Sequence, residues 1–160
     1  MGSDVRWLNA QEERLWRGWL KLNAEMSASL QRELQNDAGI SMPDFEVLVH
    51  LTDNVEGRLR VTDLAGLMKW ERSRVSHHLT RMERRGLVQR TECPEDGRGA
   101  FVGITAAGRA AIEQAAPGHV RAVRRLMFDA LTHDEIEHLG GAIDKLLMQQ
   151  PGRAESAQRQ

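Results

Sequence analysis

The chain has a single cysteine, no tyrosine and only 4 prolines among its 160 residues. Because Cys93 has no second cysteine to pair with, an intramolecular disulfide framework of the secreted type is excluded. No apolar run approaches the roughly 18 residues that cross a bilayer, and the opening MGSDVRWLNAQ has no apolar signal-peptide core. These absences predict a cytoplasmic protein whose core forms by ordinary side-chain packing.

Hydrophobic residues make up 41% and charged residues 28% of the chain, which is typical of a globular domain or compact subunit. The net charge of −1 is unevenly distributed. Residues 1–57 carry five Lys/Arg against ten Asp/Glu, residues 58–98 carry ten against six, and residues 99–160 carry seven of each. A basic central segment of this kind indicates a nucleic-acid partner.

Apolar residues recur three or four apart from Asn9 to about Gln35, which predicts a long amphipathic helix. Asn9 and Glu12 fit a capping box at its start, and Gly39 is suited to end it. A second helix is predicted from Ser41, which with Asp44 forms another such box.

Two shorter helices follow. Thr62 is the predicted N-cap of the first, and after a break at Trp70–Glu71 the second runs over residues 72–85 and ends at Gly86. Spacing in this second helix directs three side chains inward, Val75, Leu79 and Met82.

Alternating apolar and polar residues then predict a β-hairpin from residues 87–92 and 100–105, with a very short third strand at 58–61. Thr105 is predicted to begin a long helix that breaks or bends near Pro117–Gly118. Thr132 and Glu135 predict a capping box for the last helix.

Two helices joined by a tight turn and followed by a hairpin form the winged helix-turn-helix arrangement. The predicted fold class is therefore mainly α, with a winged helix-turn-helix DNA-binding lobe over residues 41–107. Residues 151–160 are expected to be a disordered tail.

DNA geometry suggests which side chains make contact, because the major groove admits one α-helix whose side chains reach base edges. The minor groove favours an arginine on an extended finger, which predicts Arg98 there. Phosphate contacts are predicted for Lys69 and Arg90. The residues predicted for the major groove are Ser73, Arg74, Ser76, His77 and Arg81. A merely solvated basic face, or a winged-helix protein-interaction module, is the alternative.

The run RSRVSHHLTRMERRGLV, followed by DGR and then ITAAG, resembles the MarR family of winged helix-turn-helix transcriptional regulators. Asp96 and Arg98 match the wing pair of that family, and Thr105 and Gly108 match the entry to its next helix. The resemblance implies that Asp96 braces the wing, although a plain turn residue is the alternative for it.

The same resemblance implies a homodimer whose N-terminal helix (1–40) and C-terminal helices (108–150) form an all-helical dimerisation region. It also implies a regulator, expected to be a repressor, that binds a pseudo-palindromic operator. Its two half-sites would lie about 34–36 Å apart. A small aromatic or phenolic ligand would release the DNA.

The four tryptophans Trp7, Trp16, Trp19 and Trp70 have two interpretations. They form the dimer core, or some of them line a pocket for a flat apolar ligand. The residues predicted for that pocket are Trp16, Trp19, Met26, His50 and Met68.

Other chemistries find less support in the sequence. Adjacent His77 and His78 point about 100° apart on a helix, so they cannot share one metal ion. We predict no metal, no cofactor and no enzymatic activity; a metal-responsive regulator is the weaker alternative. Cys93 at the start of the wing loop leaves a redox role open, although an amino-terminal cysteine of the peroxide-sensing type is missing.

Overall fold

The computed structural model describes residues 5–92 and 99–149. These residues form a mainly helical protein with one small antiparallel sheet, which confirms the predicted fold class. The elements follow in the order α1 (Ala10–Ala38), α2 (Met42–Asp53), β1 (Arg58–Arg60), α3 (Val61–Met68), α4 (Arg72–Arg84), β2 (Val88–Glu92), β3 (Ala100–Ile104), α5 (Ala106–Val123), a π-helical turn (Arg124–Phe128) and α6 (His133–Met148). Within the described residues, no helix is long and apolar enough to cross a membrane.

Side-chain caps fix the starts of three helices as the sequence predicts. Asn9 and Glu12 form a complete capping box at α1, and equivalent boxes begin α2 and α6. Gly39 ends α1 in the left-handed conformation with φ 64°, which glycine adopts without a Cβ clash. Local sequence therefore determines these boundaries.

The start of α3 differs from the prediction of a Thr62 cap. The helix begins at Val61, and its N-cap is Arg60, whose side chain makes no capping hydrogen bond. The physical reason is that β1 ends at Arg60 and leads into α3 without a linker, so the cap position falls on the last strand residue.

The three strands form a sheet in the order β1-β3-β2, with both pairings antiparallel. Arg60 lies opposite Phe101, and Arg90 lies opposite Val102. This confirms the hairpin strands and the short third strand. The predicted tip of the hairpin lies largely outside the described residues, as does the predicted tail 151–160.

Of the two outcomes predicted near Pro117–Gly118, a break or a bend, the break does not occur in α5. The helix continues through Pro117 to Val123, because one proline removes a single hydrogen bond from an 18-residue helix whose inner side is anchored by the buried residues Ala115, Gly118 and Ala122. The helical irregularity instead follows α5, as the π-helical turn.

The chain divides into two compact units, Met1–Ala122 and Val123–Gln160. The core of the first unit joins side chains from α1 to α5 and both hairpin strands. Val75, Leu79 and Met82 are fully buried in it, as the spacing in α4 predicts. The functional division at residues 40, 107 and 150 stays a prediction.

Candidate nucleic-acid interface

The matched motif residues form a clasp between the end of α4 and the start of α5. The Thr105 hydroxyl donates to the Gly86 carbonyl at 2.6 Å and accepts from the Gly108 amide at 3.0 Å. Gly86 adopts φ 74°. A Cβ on Gly108 would lie 2.1 Å from the Leu87 carbonyl oxygen. Backbone contact that only glycine permits therefore locks α5 against the segment that follows α4.

The outer face of α4 presents polar and basic side chains. Of the residues predicted for the major groove, four are exposed and Ser76 is half-buried. The exposed ones are Ser73, Arg74, His77 and Arg81. Lys69 is also exposed, in the left-handed turn between α3 and α4 with φ 54°. The structure thus brings the predicted groove contacts together on one surface, which we call the α4 face.

Trp70, which precedes α4, packs against two side chains of that helix. The Arg74 guanidinium lies 3.7 Å from the centre of the Trp70 ring, and the His78 ring meets Trp70 edge-on at 5.6 Å. A cation over an indole face is attracted by the ring quadrupole. Trp70 therefore belongs to the helix-turn-helix, whereas Trp7, Trp16 and Trp19 are exposed on or before α1.

A buried carboxylate links α2 to α4. Asp44 is 1% exposed; its Oδ1 accepts from Arg85 Nη2 at 2.6 Å, and its Oδ2 accepts from the Ser41 amide at 2.8 Å. His78 Nε2 lies 3.0 Å from Asp44 Oδ1, without the alignment of a full hydrogen bond. Burial opposes ionisation, but the close contact with His78 and the hydrogen bonds from Arg85 and Ser41 outweigh it and hold the pKa of Asp44 well below its ordinary value.

The other ring nitrogen of His78, Nδ1, contacts a residue of the α4 face. It lies 3.0 Å from Arg81 Nη2. Sequence analysis missed His78, which is only 5% exposed. Its position three residues after Val75 and four before Met82, on the inward stripe, was the available signal.

Arg90, predicted to contact phosphate, lies within a network between β2 and α4. Its guanidinium donates to Glu83 Oε2 at 3.0 Å and to Thr80 Oγ1 at 2.8 Å, while its amide donates to Glu83 Oε1 at 3.0 Å. The amide hydrogen bond from Arg90, foremost among these contacts, lowers the pKa of Glu83 despite partial desolvation. Arg90 is therefore engaged in holding the hairpin to α4.

A cavity of about 600 Å³ opens beside the α4 face, where the first turns of α3 and α4 meet β3. Its lining residues are Arg60, Val61, Thr62, Arg72, Ser73, Ser76, Gly99 and Ala100. Neither helix has a side-chain cap at its start, so amide donors of both first turns lack such a partner. Amides at helix N-termini are suited to bind phosphate. Nearby, Arg58 and Arg60 each lie 5.1 Å from the Phe101 ring centre.

A second cavity, of about 510 Å³, lies between α2, α3 and α5. His50 and Met68, both predicted ligand-pocket residues, line it, together with Phe45 and His119. The other predicted pocket residues, Trp16, Trp19 and Met26, are not in its lining.

The His119 ring packs on Phe45 at 4.5 Å. Its Nδ1 is buried with no hydrogen-bond partner among the described residues. Burial lowers the pKa of His119. The neutral imidazole is therefore the favoured form in this cavity.

The predicted wing residues Cys93, Asp96 and Arg98 lie outside the described residues. In the ranges 5–92 and 99–149, no group of three or more His, Cys, Asp or Glu side chains is arranged to hold a metal ion.

Comparison with known proteins gives the family. The MarR family model matches residues 40–99. The crystal structure of Sco3205, a MarR family transcriptional regulator from Streptomyces coelicolor in complex with DNA, is 39% identical. It matches 93% of this chain and 94% of its own, with a TM-score of 0.86. AbsC, a MarR family transcriptional regulator from the same organism, is 37% identical over 91% of this chain and 100% of its own, with a TM-score of 0.83.

A further relative is the HTH-type transcriptional repressor YetL of Bacillus subtilis, which is 32% identical over 89 residues. This match covers 56% of the chain and 53%, about half, of YetL. Sco3205 and AbsC are both more than 30% identical to this chain and match more than nine-tenths of it. This similarity establishes the family, and the clasp and the α4 face agree with it. The chain belongs to the MarR family of transcriptional regulators.

Proposed function

We propose that the protein is a homodimeric, sequence-specific double-stranded DNA-binding repressor that recognises a pseudo-palindromic operator. The observation that carries the proposal is the two-sided character of α4: Val75, Leu79 and Met82 are buried, while Arg74, Arg81 and their polar neighbours are exposed. Such a helix fits the major groove with its polar side on the base edges.

In this proposal the α4 face reads bases and the surrounding groups bind the backbone. Arg74 and Arg81 are each able to donate two hydrogen bonds to guanine, and Ser73, Ser76 and His77 add shorter contacts. Lys69 and the uncapped first turns of α3 and α4 bind phosphates. Arg98 enters the minor groove, and Asp96 supports the wing; both assignments depend on the family resemblance.

Selection of bound genomic fragments followed by sequencing tests DNA reading. We expect enrichment of a palindrome and a steep loss of affinity with salt, as phosphate contacts require. Replacing Arg81 or Arg74 with Ala should weaken operator binding by about 1–3 kcal/mol and relax specificity at one position. Arg14→Ala is the matched control, because Arg14 is an exposed arginine on α1. Failure to enrich any sequence would instead favour a protein-interaction module.

The dimer is proposed to form through α1 and the C-terminal helices. Large apolar side chains are about half exposed or more just before α1 and along one side of it, namely Leu8, Leu15, Trp16, Trp19 and Leu22. In the second unit, α6 exposes Leu146 and Leu147. Exposed apolar surface of this extent is typical of an interaction site, and a second copy of the chain supplies the two-fold symmetry that a palindrome needs.

The effector is proposed to be a small aromatic acid or phenol that binds the cavity between α2, α3 and α5. Phe45 and Met68 offer an apolar wall, and His119 Nδ1 offers a buried acceptor or donor that has no other hydrogen-bond partner in the part of the chain that the structure describes. A ligand lowers DNA affinity only by its preference for the DNA-free state. Thermal-shift screening with and without operator tests this, and His119→Phe should abolish the shift. A compound set that stabilises the free protein but leaves the complex unchanged would refute release.

A further inference from the structure

We infer that His78 is a positioning residue for DNA reading: it holds the Arg81 guanidinium in place for the major groove and is itself held by Asp44. This inference rests on the proposed DNA-binding function and assigns a role to a side chain that contacts no DNA. It follows from an unbroken series of short contacts, from the buried carboxylate of α2 to the exposed α4 face.

Hydrogen-bond chemistry fixes the direction of each contact. Arginine only donates, so the 3.0 Å contact between Arg81 Nη2 and His78 Nδ1 requires an unprotonated Nδ1. The ring hydrogen then resides on Nε2, which faces Asp44 Oδ1 at 3.0 Å. The negative charge of the nearby carboxylate thus favours the tautomer with its hydrogen on Nε2, which is the one that accepts from Arg81, as second-layer groups do for histidines in other sites.

The same imidazole also supports the second arginine of the α4 face. Its ring meets Trp70 edge-on at 5.6 Å, and Trp70 carries Arg74 on its face at 3.7 Å. Because His78 is 5% exposed, it has a fixed place in the core from which both arginines are supported. An arginine ordered before binding loses less side-chain entropy when it meets a base.

Two variants test the roles of the two ring nitrogens of His78 separately. Asn at position 78 has an oxygen near the place of Nδ1, so His78→Asn keeps an acceptor for Arg81 but cannot reach Asp44. Gln has its amide near the place of Nε2, so His78→Gln keeps a donor for Asp44 but offers no acceptor to Arg81. His78→Phe preserves the ring against Trp70 and lacks both nitrogens, and it serves if the Gln variant fails to fold.

We expect His78→Gln to weaken operator binding about tenfold, the effect of one hydrogen bond to a charged group. His78→Asn should stay within about threefold of wild type, and non-specific DNA binding should be unchanged in both variants. In an Arg81→Ala background, His78→Gln should bind the operator no more weakly than His78→Asn, because both variants lack the ring against Trp70 and differ only in the acceptor for Arg81. Exposed His133→Gln on α6 is the control.

A merely structural role predicts a different result. It would lower the affinities for operator and non-specific DNA together, and the loss would persist in the Arg81→Ala background. Either result, or equal operator affinity of wild type and His78→Gln, overturns the inference.

A DNA-independent measurement keeps the inference distinct from the proposed function. Nitrogen-15 relaxation of the Arg81 Nε–H group in the free protein should report an ordered side chain in wild type and His78→Asn, and a mobile one in His78→Gln. If the wild type binds no genomic sequence but this pattern appears, DNA reading fails and the Arg81 anchor stands. If DNA binds and Arg81 is equally ordered in all three proteins, the anchor fails alone.

Discussion

Asp44 is a carboxylate at the start of α2 whose cationic partner, Arg85, lies 41 residues away. Local sequence predicts half of its role, the capping box with Ser41. The other half, contact with His78 and Arg85, depends on how α2 packs against α4. Residue spacing within one helix does not predict contacts between residues this far apart in the sequence. For the same reason sequence analysis overlooked the contact of His78 with Asp44.

Replacing Asp44 with Asn should lower the free energy of unfolding by about 2 kcal/mol at pH 7, since hydrogen bonds to a charged group are lost inside the core. Because the fold depresses the pKa of Asp44 below 3.8, its contribution is complete above that value and disappears as pH falls further. The difference between wild type and D44N should therefore shrink below pH 3.8. Urea unfolding at several pH values measures it.

The matched control is Glu46→Gln on the same helix, since Glu46 is exposed. It should change stability little. A difference between wild type and D44N that is constant over this pH range would contradict the role of the ionised carboxylate.

Gly108 illustrates a motif residue whose reason is steric. Ala at this position places a Cβ 2.1 Å from the Leu87 carbonyl oxygen, and backbone cannot move aside as a flexible side chain would. We expect G108A to destabilise the fold by about 2 kcal/mol or more, measured by thermal unfolding.

Gly66 in α3 has nothing within 4 Å of its Cβ position. G66A should therefore stabilise the protein by about 0.5–1 kcal/mol, as Ala does in a helix interior. G108A should lower the stability of the fold and G66A should raise it. Equal changes in stability would contradict the steric role of Gly108 in the clasp.

Helix and strand positions were largely predictable, because caps and periodicity are local. The three capping boxes and the inward stripe of α4 follow from side chains within one or two turns. The differences from the prediction arise where contacts between elements determine the outcome. Strand β1 sets the start of α3, and buried contacts carry α5 through Pro117 without a break.

Arg90 shows how packing between elements changes the interpretation of a basic residue. Its guanidinium joins β2 to Glu83 and Thr80 of α4, so R90Q should loosen the hairpin and lower the unfolding temperature. Since the partner Glu83 is partly exposed, the loss should be about 1 kcal/mol. The slope of log affinity against log salt should be unchanged. A slope reduced by about one in R90Q would instead indicate that Arg90 contacts a phosphate.

The net charge of the whole chain conceals its function, because the basic centre is balanced by an acidic N-terminal third. The residues predicted for the major groove lie on one surface, the α4 face, whereas the residues predicted for the ligand pocket do not lie together. Only His50 and Met68 of five predicted pocket residues line a common cavity. The tryptophans of α1 are exposed instead, as a dimer surface would require.

Trp19→Glu should therefore convert a dimer of twice the 18.1 kDa chain mass into monomers, or weaken the dimer at least about tenfold. Operator affinity should fall with it, because a monomer reaches only one half-site. Light scattering across a dilution series measures the mass. Lys21→Glu, on the opposite side of α1, should leave the dimer intact. A wild-type chain that is monomeric at micromolar concentration would contradict the proposed assembly.

The first turns of α3 and α4 lack the side-chain caps that α1, α2 and α6 possess. In the free protein, water must satisfy their amides, so deuterium should enter these two turns sooner than the capped ones. A duplex seated across them would exclude that water. Slowed isotope uptake confined to the amides of Thr62–Asp63 and Ser73–Arg74 would then trace where the DNA backbone passes, without any change to the sequence.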